Sequence, residues 1–429
     1  MPDLTSNTAG IISPNPFWLA SAPPANSGEQ VMRAFDAGWG GAVWKTLGQP
    51  IQNVSSRFGA IRWKGAAGVG FNNIELITDR PLDVNFREIA EVKKRYPKHA
   101  VIVSLMVESK EEWREMIMRS EDAGADGLEL NFGCPHGMCE RGMGSAVGQE
   151  PTVNERITSW VKEYANVPVL VKLTPNVGDI VPHGLAAQAG GADGVSLINT
   201  IKSIIGVDID NFTPQPVVGG RSTNGGYCGA AVRPIALHMC AALARDPRFN
   251  VPISGIGGIT NWRDAVEFLL LGSSSVQVCT EVMLKGYRIV EDMNEGLNQY
   301  MKDKGFDTLD QMVGKAIPAY TEWGELDLNF EIVAKIDSQS CIGCQACLVA
   351  CHDGAHQCIH PSPTAAELTP ESRVPIVDES ECVGCNLCQI VCPVEGCITM
   401  EQVDNGFGKA SWNDHLVRGA QLRPKKGAH

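Results

Sequence analysis

The sequence predicts an α/β chain in two parts: a closed barrel of eight βα units, then a small cysteine-rich domain. Two observations carry that reading. From Phe17 to about Lys285, short apolar runs alternate with longer amphipathic stretches, as parallel strands alternate with crossover helices. Near the C-terminus, two runs of cysteines repeat one spacing.

Strands are expected at Phe17–Ala22, Gly41–Lys45, Val101–Met106, Gly127–Asn131, Pro168–Leu173, Gly194–Asn199, Pro252–Ile256 and Ser275–Cys279. Helices are expected at Gly28–Ala37, Val84–Tyr96, Glu111–Ala123, Thr152–Tyr164, Val232–Ala244 and Asn261–Leu271. Eight such units in about 270 residues suit a (β/α)8 TIM barrel, whose usual size is about 250. An open doubly wound sheet would need a G-x-G-x-x-G turn after its first strand. Gly255-Ile256-Gly257-Gly258-Ile259-Thr260 lacks the third glycine and follows the seventh run, so no dinucleotide site is expected.

Two insertions interrupt the pattern, Gly48 to Arg80 and Ile201 to Gly229, and loops of this length usually carry function. The expected organisation is a barrel over 1–300, a linker over 301–330, the cysteine domain over 331–405 and a C-terminal tail over 406–429. Its basic end, from Leu422, reads as disordered.

The formal net charge of −13 argues against nucleic acid or an anionic membrane as partner. The first residues have no basic stretch followed by an apolar one, and no apolar run approaches the roughly 18 residues of a membrane span. Of fifteen cysteines, eight stand in the two runs and the rest are scattered, which fits a reducing cytoplasm better than a disulfide scaffold.

The runs are Cys341-x2-Cys344-x2-Cys347-x3-Cys351 and Cys382-x2-Cys385-x2-Cys388-x3-Cys392-Pro393. Three cysteines at this spacing wrap one cubane, and the fourth normally ligates the other cluster. Two [4Fe-4S] clusters are therefore expected, one on Cys341, Cys344, Cys347 and Cys392, the other on Cys382, Cys385, Cys388 and Cys351. Zinc also uses C-x-x-C pairs, but has no need of eight thiolates in a duplicated order. Cys358 and Cys397 fall outside the pattern and read most simply as structural. His352 follows Cys351 where the second run has proline.

Polar residues stand near the C-terminal ends of expected barrel strands, where such barrels place their active sites. Lys45 closes the second, Asn131 the fourth and Asn199-Thr200 the sixth, and Lys172 lies near the end of the fifth. Gly257-Gly258 after the seventh strand and Cys279-Thr280 after the eighth stand where barrels bind phosphate. The loop after Asn131 carries Cys134, His136 and Cys139 among glycines; each could donate a proton, and spacing alone does not choose between the cysteines.

Asn131-x-x-Cys134-Pro135-His136-Gly137-Met138, Lys172-Leu173-Thr174-Pro175-Asn176, Asn199-Thr200 and the paired cysteine runs together resemble dihydropyrimidine dehydrogenases, a branch of the dihydroorotate-dehydrogenase-like FMN barrels. The resemblance extends through Ala20-Ser21-Ala22-Pro23-Pro24, Asn73-Ile74-Glu75-Leu76-Ile77 and Ala231-Val232-Arg233-Pro234-Ile235, and covers about residues 12–400. It is to the FMN and iron–sulfur subunit of the bacterial two-subunit, NAD-dependent form.

The resemblance implies that Cys134 is the general acid. It implies that Asn73, Asn131, Asn199 and Thr200 read the pyrimidine. It also implies that Ser21, Lys45, Thr46, Asn73, Lys172, Gly229, Gly257, Gly258, Cys279 and Thr280 hold FMN. The chemistry agrees: hydride from flavin N5 to C6 of uracil leaves charge on C5 and O4, which a thiol quenches at C5. Asparagine offers the donor and acceptor that a pyrimidine edge requires, and a lysine stabilises the negative charge of reduced flavin. Also implied are reversible reduction of uracil and thymine in pyrimidine catabolism, electrons from NADH through an FAD- and NAD-binding partner subunit, and a homodimeric core in a heterotetramer. A dihydroorotate dehydrogenase and a non-catalytic electron-transfer subunit remain alternatives. Cys139 stands where the family usually has glycine.

Overall fold

The structure is a computed structural model that describes residues 2–63, 66–135, 142–354, 356–362 and 373–424. His136 and Cys139 lie outside the described residues. The chain divides into two units, 1–319 and 320–429.

In the first unit eight parallel strands close a barrel: β1 (Phe17–Leu19), β2 (Gly41–Leu47), β3 (Ala100–Leu105), β4 (Gly127–Asn131), β5 (Val169–Lys172), β6 (Gly194–Leu197), β7 (Ile253–Ile256) and β8 (Ser273–Val278). Each pairs with the next, and β8 returns to β1. The helices that follow them are α1 (Gly28–Ala37), α2 (Leu82–Arg95), α3 (Lys110–Asp122), α4 (Pro151–Tyr164), α5 (Val181–Ala189), α6 (Arg233–Arg245), α7 (Trp262–Leu270) and α8 (Ile289–Lys304). All eight expected strands are present. Helix α5 was not expected, because Val-Pro-His-Gly-Leu-Ala-Ala-Gln-Ala offers little contrast between its faces.

Period-two alternation sorts the strand side chains. In β4, Leu128 and Leu130 join the apolar layer under the helices, while Glu129 and Asn131 point into the barrel. In β2, Trp44 reaches out to α2, its indole N–H donating to Asn85 Oδ1 at 3.0 Å, and Lys45 turns inward. The base of the interior is apolar, built from Trp18, Val43, Ile102 and Leu170 with Ile11 from a short N-terminal hairpin.

Helix starts follow capping chemistry. Ser27 accepts from Gln30 N–H, Ser109 and Glu112 form a capping box, and Asn261 accepts from Arg263 and Asp264 N–H. The Glu88 carboxylate of α2 ties α1 to α2, accepting from Gly28 N–H at 2.8 Å and from both terminal nitrogens of Arg80. Burial alone would raise the Glu88 carboxyl, but Arg80 and the Gly28 N–H hold it below its ordinary value. Its stabilising contribution is therefore complete above the unfolded carboxyl range and is lost as pH falls through the depressed folded value. Glu88→Gln is expected to cost roughly 1–3 kcal/mol at neutral pH. It should also flatten the acid side of the stability–pH curve, measured by urea unfolding from pH 3 to 7.

The two insertions meet. Phe58–Trp63 and Ala66–Asn73 form a hairpin, and Gly225–Cys228 pairs with its second strand, placing Gly226 opposite Asn73 and Cys228 opposite Phe71. Ile201–Ser203 completes a four-stranded antiparallel sheet.

The segment read as a linker is divided between the units. Leu309 and Met312 are buried in the core of the first, and Gly314 and Ala316 donate to carbonyls at the end of α7. From residue 320 the chain belongs to the second unit.

The second unit carries two antiparallel pairs, Ile332–Ile336 with Ile398–Gln402 and Ile359–His360 with Ile376–Val377. The duplication extends to the backbone: Asp337 and Asp378 each accept, through their carbonyls, the N–H of the first cysteine of their run. Gly343 and Gln345, like Gly384 and Asn386, have positive φ. Where the runs differ, proline decides. Cys392 precedes Pro393 and is extended, ending the helix Leu387–Val391, because a residue before proline is pushed out of the helical region. With His352 in that place, the helix Ala346–Gly354 continues past Cys351, and His352 Nε2 lies 3.0 Å from Ile359 O. The segment read as a tail contains a capped helix, Trp412–Arg418, and Arg423 donates to Asn329 Oδ1 and Leu328 O. Among the described residues no helix is long and apolar enough to cross a membrane.

Candidate functional site

A cleft at the C-terminal ends of the barrel strands encloses about 1240 Å³ of empty space, counted out to its open rim. Among the described residues, every barrel residue singled out from the sequence lines it: Ser21, Lys45, Thr46, Asn73, Asn131, Cys134, Lys172, Asn199, Thr200, Gly229, Gly257, Gly258, Cys279 and Thr280. Phe58, Phe71 and Tyr227 of the four-stranded sheet line it too. The strand ends differ slightly from expectation: β2 runs two residues past Lys45, and β6 stops at Leu197, leaving Asn199-Thr200 just beyond it.

One hydrogen-bonded chain links the small polar groups. Ser21 Oγ lies 3.0 Å from Thr46 Oγ1, which accepts from Asn131 Nδ2 at 3.0 Å. Asn131 Oδ1 accepts from Asn199 Nδ2 at 3.0 Å, and Asn199 Oδ1 accepts from Thr200 N–H at 2.8 Å. Asn73 donates to Gly226 O at 3.2 Å, across the junction of the two insertions. Cys134 is buried against Ile77, Met106 and Met143, and its carbonyl accepts from Ser145 N–H at 3.0 Å, which pins the loop through its backbone.

Both lysines are buried and face carboxylates. Lys45 Nζ is 2.6 Å from Glu75 Oε1, and Lys172 Nζ is 3.4 Å from Glu129 Oε1. Glu129 belongs to a polar layer that sequence reasoning missed. Its Oε2 accepts from Ser196 Oγ at 2.7 Å and Gln277 Nε2 at 2.9 Å, and Ser254 Oγ joins Ser275 and Gln277. The available signal was a charged residue between Leu128 and Leu130 in an otherwise apolar strand. Glu129→Gln keeps the shape but leaves a buried ammonium without its counter-charge, a change that typically costs about 3–5 kcal/mol. The expected outcome is a lower urea midpoint of the barrel unit.

At the other end of the cleft, Gly229, Gly257 and Gly258 all have positive φ. A Cβ on Gly258 would stand 2.8 Å from Gly229 O and 2.9 Å from Arg233 N, so the backbones are packed as only glycine permits. Thr280 opens a short helix there, with Cys279 at its N-cap. Thr280 Oγ1 donates to Cys228 Sγ at 3.3 Å. Burial pushes the Cys228 thiol up to about 11 and the Cys279 thiol higher still. Both are neutral at physiological pH and contribute shape rather than charge.

These features fit FMN. The glycine backbones can approach a phosphate, and the buried lysines can neutralise a charged ring. Gln277 Oε1, buried at the cleft without a hydrogen-bond partner, is an acceptor that a bound polar ring can satisfy.

In the second unit, Cys341, Cys344, Cys347 and Cys392 line one small cavity. Cys382, Cys385, Cys388 and Cys351 line another. Thiolates on one zinc ion would stand about 3.8 Å apart, from a Zn–S bond of about 2.3 Å. Among the described residues no three such ligands converge on a single ion, and quartets spread round a cavity suit cubanes.

The family model "Dihydroorotate dehydrogenase" matches residues 3–301, and "4Fe-4S dicluster domain" matches 334–400. The NAD-dependent dihydropyrimidine dehydrogenase subunit PreA of Escherichia coli (strain K12) is 43% identical over 403 residues, 94% of this chain and 96% of the relative. The chloroplastic dihydropyrimidine dehydrogenase (NADP(+)) of Arabidopsis thaliana is 41% identical over 339 residues, 76% of this chain and 79% of the relative. The catalytic subunit of dihydroorotate dehydrogenase B (NAD(+)) of Pyrococcus horikoshii is 36% identical over 315 residues, 72% of this chain and 96% of the relative. The chain belongs to the dihydroorotate dehydrogenase family and, with a dicluster domain behind its barrel, is an oxidoreductase of the dihydropyrimidine dehydrogenase kind with FMN and two [4Fe-4S] clusters as cofactors.

Proposed function

We propose that the chain reduces uracil and thymine reversibly to their 5,6-dihydro forms. It would serve as the catalytic subunit of a cytoplasmic, NADH-dependent enzyme of pyrimidine catabolism. The observation that carries this reading is the single cleft that gathers Cys134, the amides of Asn73, Asn131 and Asn199, and two buried lysines.

Lys45, Lys172, Ser21, Thr46, the glycines at 229, 257 and 258, Cys279 and Thr280 would hold FMN. When bound, the flavin supplies hydride from N5 to C6 of the pyrimidine. Asn131, Asn199 and Thr200 would exchange their mutual hydrogen bonds, and Asn73 its bond to Gly226 O, for the alternating N–H and C=O edge of the ring. That exchange costs little, because each bond given up is replaced by one of the same kind. The Cys134 thiol then delivers its proton to C5 and, in reverse, its thiolate removes one. The apolar side chains of Ile77, Met106 and Met143 beside it keep water from competing as the donor.

An FAD- and NAD-binding partner subunit would supply electrons from NADH, and the cysteines of the second unit would hold the two clusters that relay them; two such pairs would form a heterotetramer around a homodimeric core. Among the described residues, the lysines that line the cleft already face carboxylates, which favours a neutral pyrimidine over dihydroorotate with its extra carboxylate. The test is anaerobic titration of the protein with dithionite, followed by uracil. Bleaching of flavin and clusters, then reoxidation by uracil, is expected. Turnover of dihydroorotate with no response to uracil or dihydrouracil would overturn the proposal.

A further inference from the structure

Each cluster cavity is lined by a fifth cysteine. Cys397 lines the one holding Cys341, Cys344, Cys347 and Cys392; Cys358 lines the one holding Cys382, Cys385, Cys388 and Cys351. Both are at most 3% exposed. Each faces the ligand that crosses over from the other run. Cys358 N–H donates to Cys351 Sγ at 3.2 Å, and the Cys397 thiol lies beside Cys392 and Cys341.

Their backbone carbonyls also bond across that crossing, to the aspartates that precede the opposite run. Asp378 N–H donates to Cys358 O at 2.7 Å, and Asp378 O in turn accepts from Cys382 N–H at 2.9 Å. Asp337 N–H donates to Cys397 O, and Asp337 O accepts from Cys341 N–H, at 2.9 and 3.0 Å. Cys358 is thus tied to the loop that supplies three ligands of its cluster, while the fourth, Cys351, arrives on the helix of the other run.

We infer that Cys358 and Cys397 are reserve ligands, each able to take the iron corner of the crossing cysteine beside it. The iron–sulfur bond to Cys351 breaks, one to Cys358 forms, and the Cys358 proton passes to the released thiolate. No electron changes hands, and cluster charge is preserved. Cys397 stands in the same relation to Cys392. The inference rests on the two clusters alone, so it stands or falls apart from the pyrimidine reading.

The test is Cys351→Ala in the full chain, reconstituted anaerobically, with iron and labile sulfide counted and the dithionite-reduced EPR spectrum recorded. Cys351→Ala is expected to keep two clusters, about eight irons per chain, and Cys351→Ala/Cys358→Ala to fall to about four. Cys358→Ala alone should keep both clusters. A single Cys351→Ala variant that already loses a cluster, or a double variant that retains both, overturns the inference. If Cys351→Ala does not fold, Cys392→Ala and Cys392→Ala/Cys397→Ala put the same question at the other cavity, with the same outcomes for and against.

Discussion

Cys134→Ala is expected to lower uracil reduction by about 10²–10⁴-fold, the usual contribution of a positioned acid, with flavin and iron content unchanged. The substitution removes one sulfur from an apolar group of Ile77, Met106 and Met143, and the loop is held by Ser145 N–H on the Cys134 carbonyl, which alanine retains. A loss of turnover therefore reports proton delivery rather than collapse of the loop. Rapid-reaction kinetics separate the steps: reduction of the flavin by dithionite should be unaffected, and its reoxidation by uracil should slow. Uracil reduction at the wild-type rate would remove Cys134 from the chemistry and return the question to His136 and Cys139 on the same loop.

Gly258→Val should give a protein that purifies without flavin and with both clusters. At φ +72° a side chain is strained by roughly 1–2 kcal/mol. Its Cβ would also press on backbone atoms, Gly229 O at 2.8 Å and Arg233 N at 2.9 Å, which have no rotamer to escape into. The turns after β7 and before α6 must then separate, at the end of the cleft where a phosphate is expected. The flavin-to-iron ratio of the purified variant measures the effect directly. A normal ratio would place the phosphate elsewhere.

Much of this was legible in the sequence because its signals are local. The eight strands announce themselves as short apolar runs, and positions such as Lys45, Asn131 and Lys172 stand out as polar residues near their ends. Helix α5 was lost because its small residues carry little periodicity. The linker and tail were read as such because composition does not reveal that Leu309 and Met312 pack into the barrel unit's core or that Arg423 donates to Leu328 and Asn329. The layer around Glu129 was missed for another reason: its members come from four strands and meet only when the barrel closes.

By itself the sequence determined the barrel and the dicluster domain behind it. Periodicity and cysteine spacing are properties of the chain and need no tertiary contact to be read. Only the tertiary structure decided which groups answer one another across long separations. Examples are Gly226 against Asn73 in a sheet built from both insertions, Glu75 and Glu129 opposite the buried lysines, and Cys358 and Cys397 in the cavities of Cys351 and Cys392. A buried charge or thiol acts through its neighbours, and those neighbours are set by closure of the fold rather than by distance along the chain.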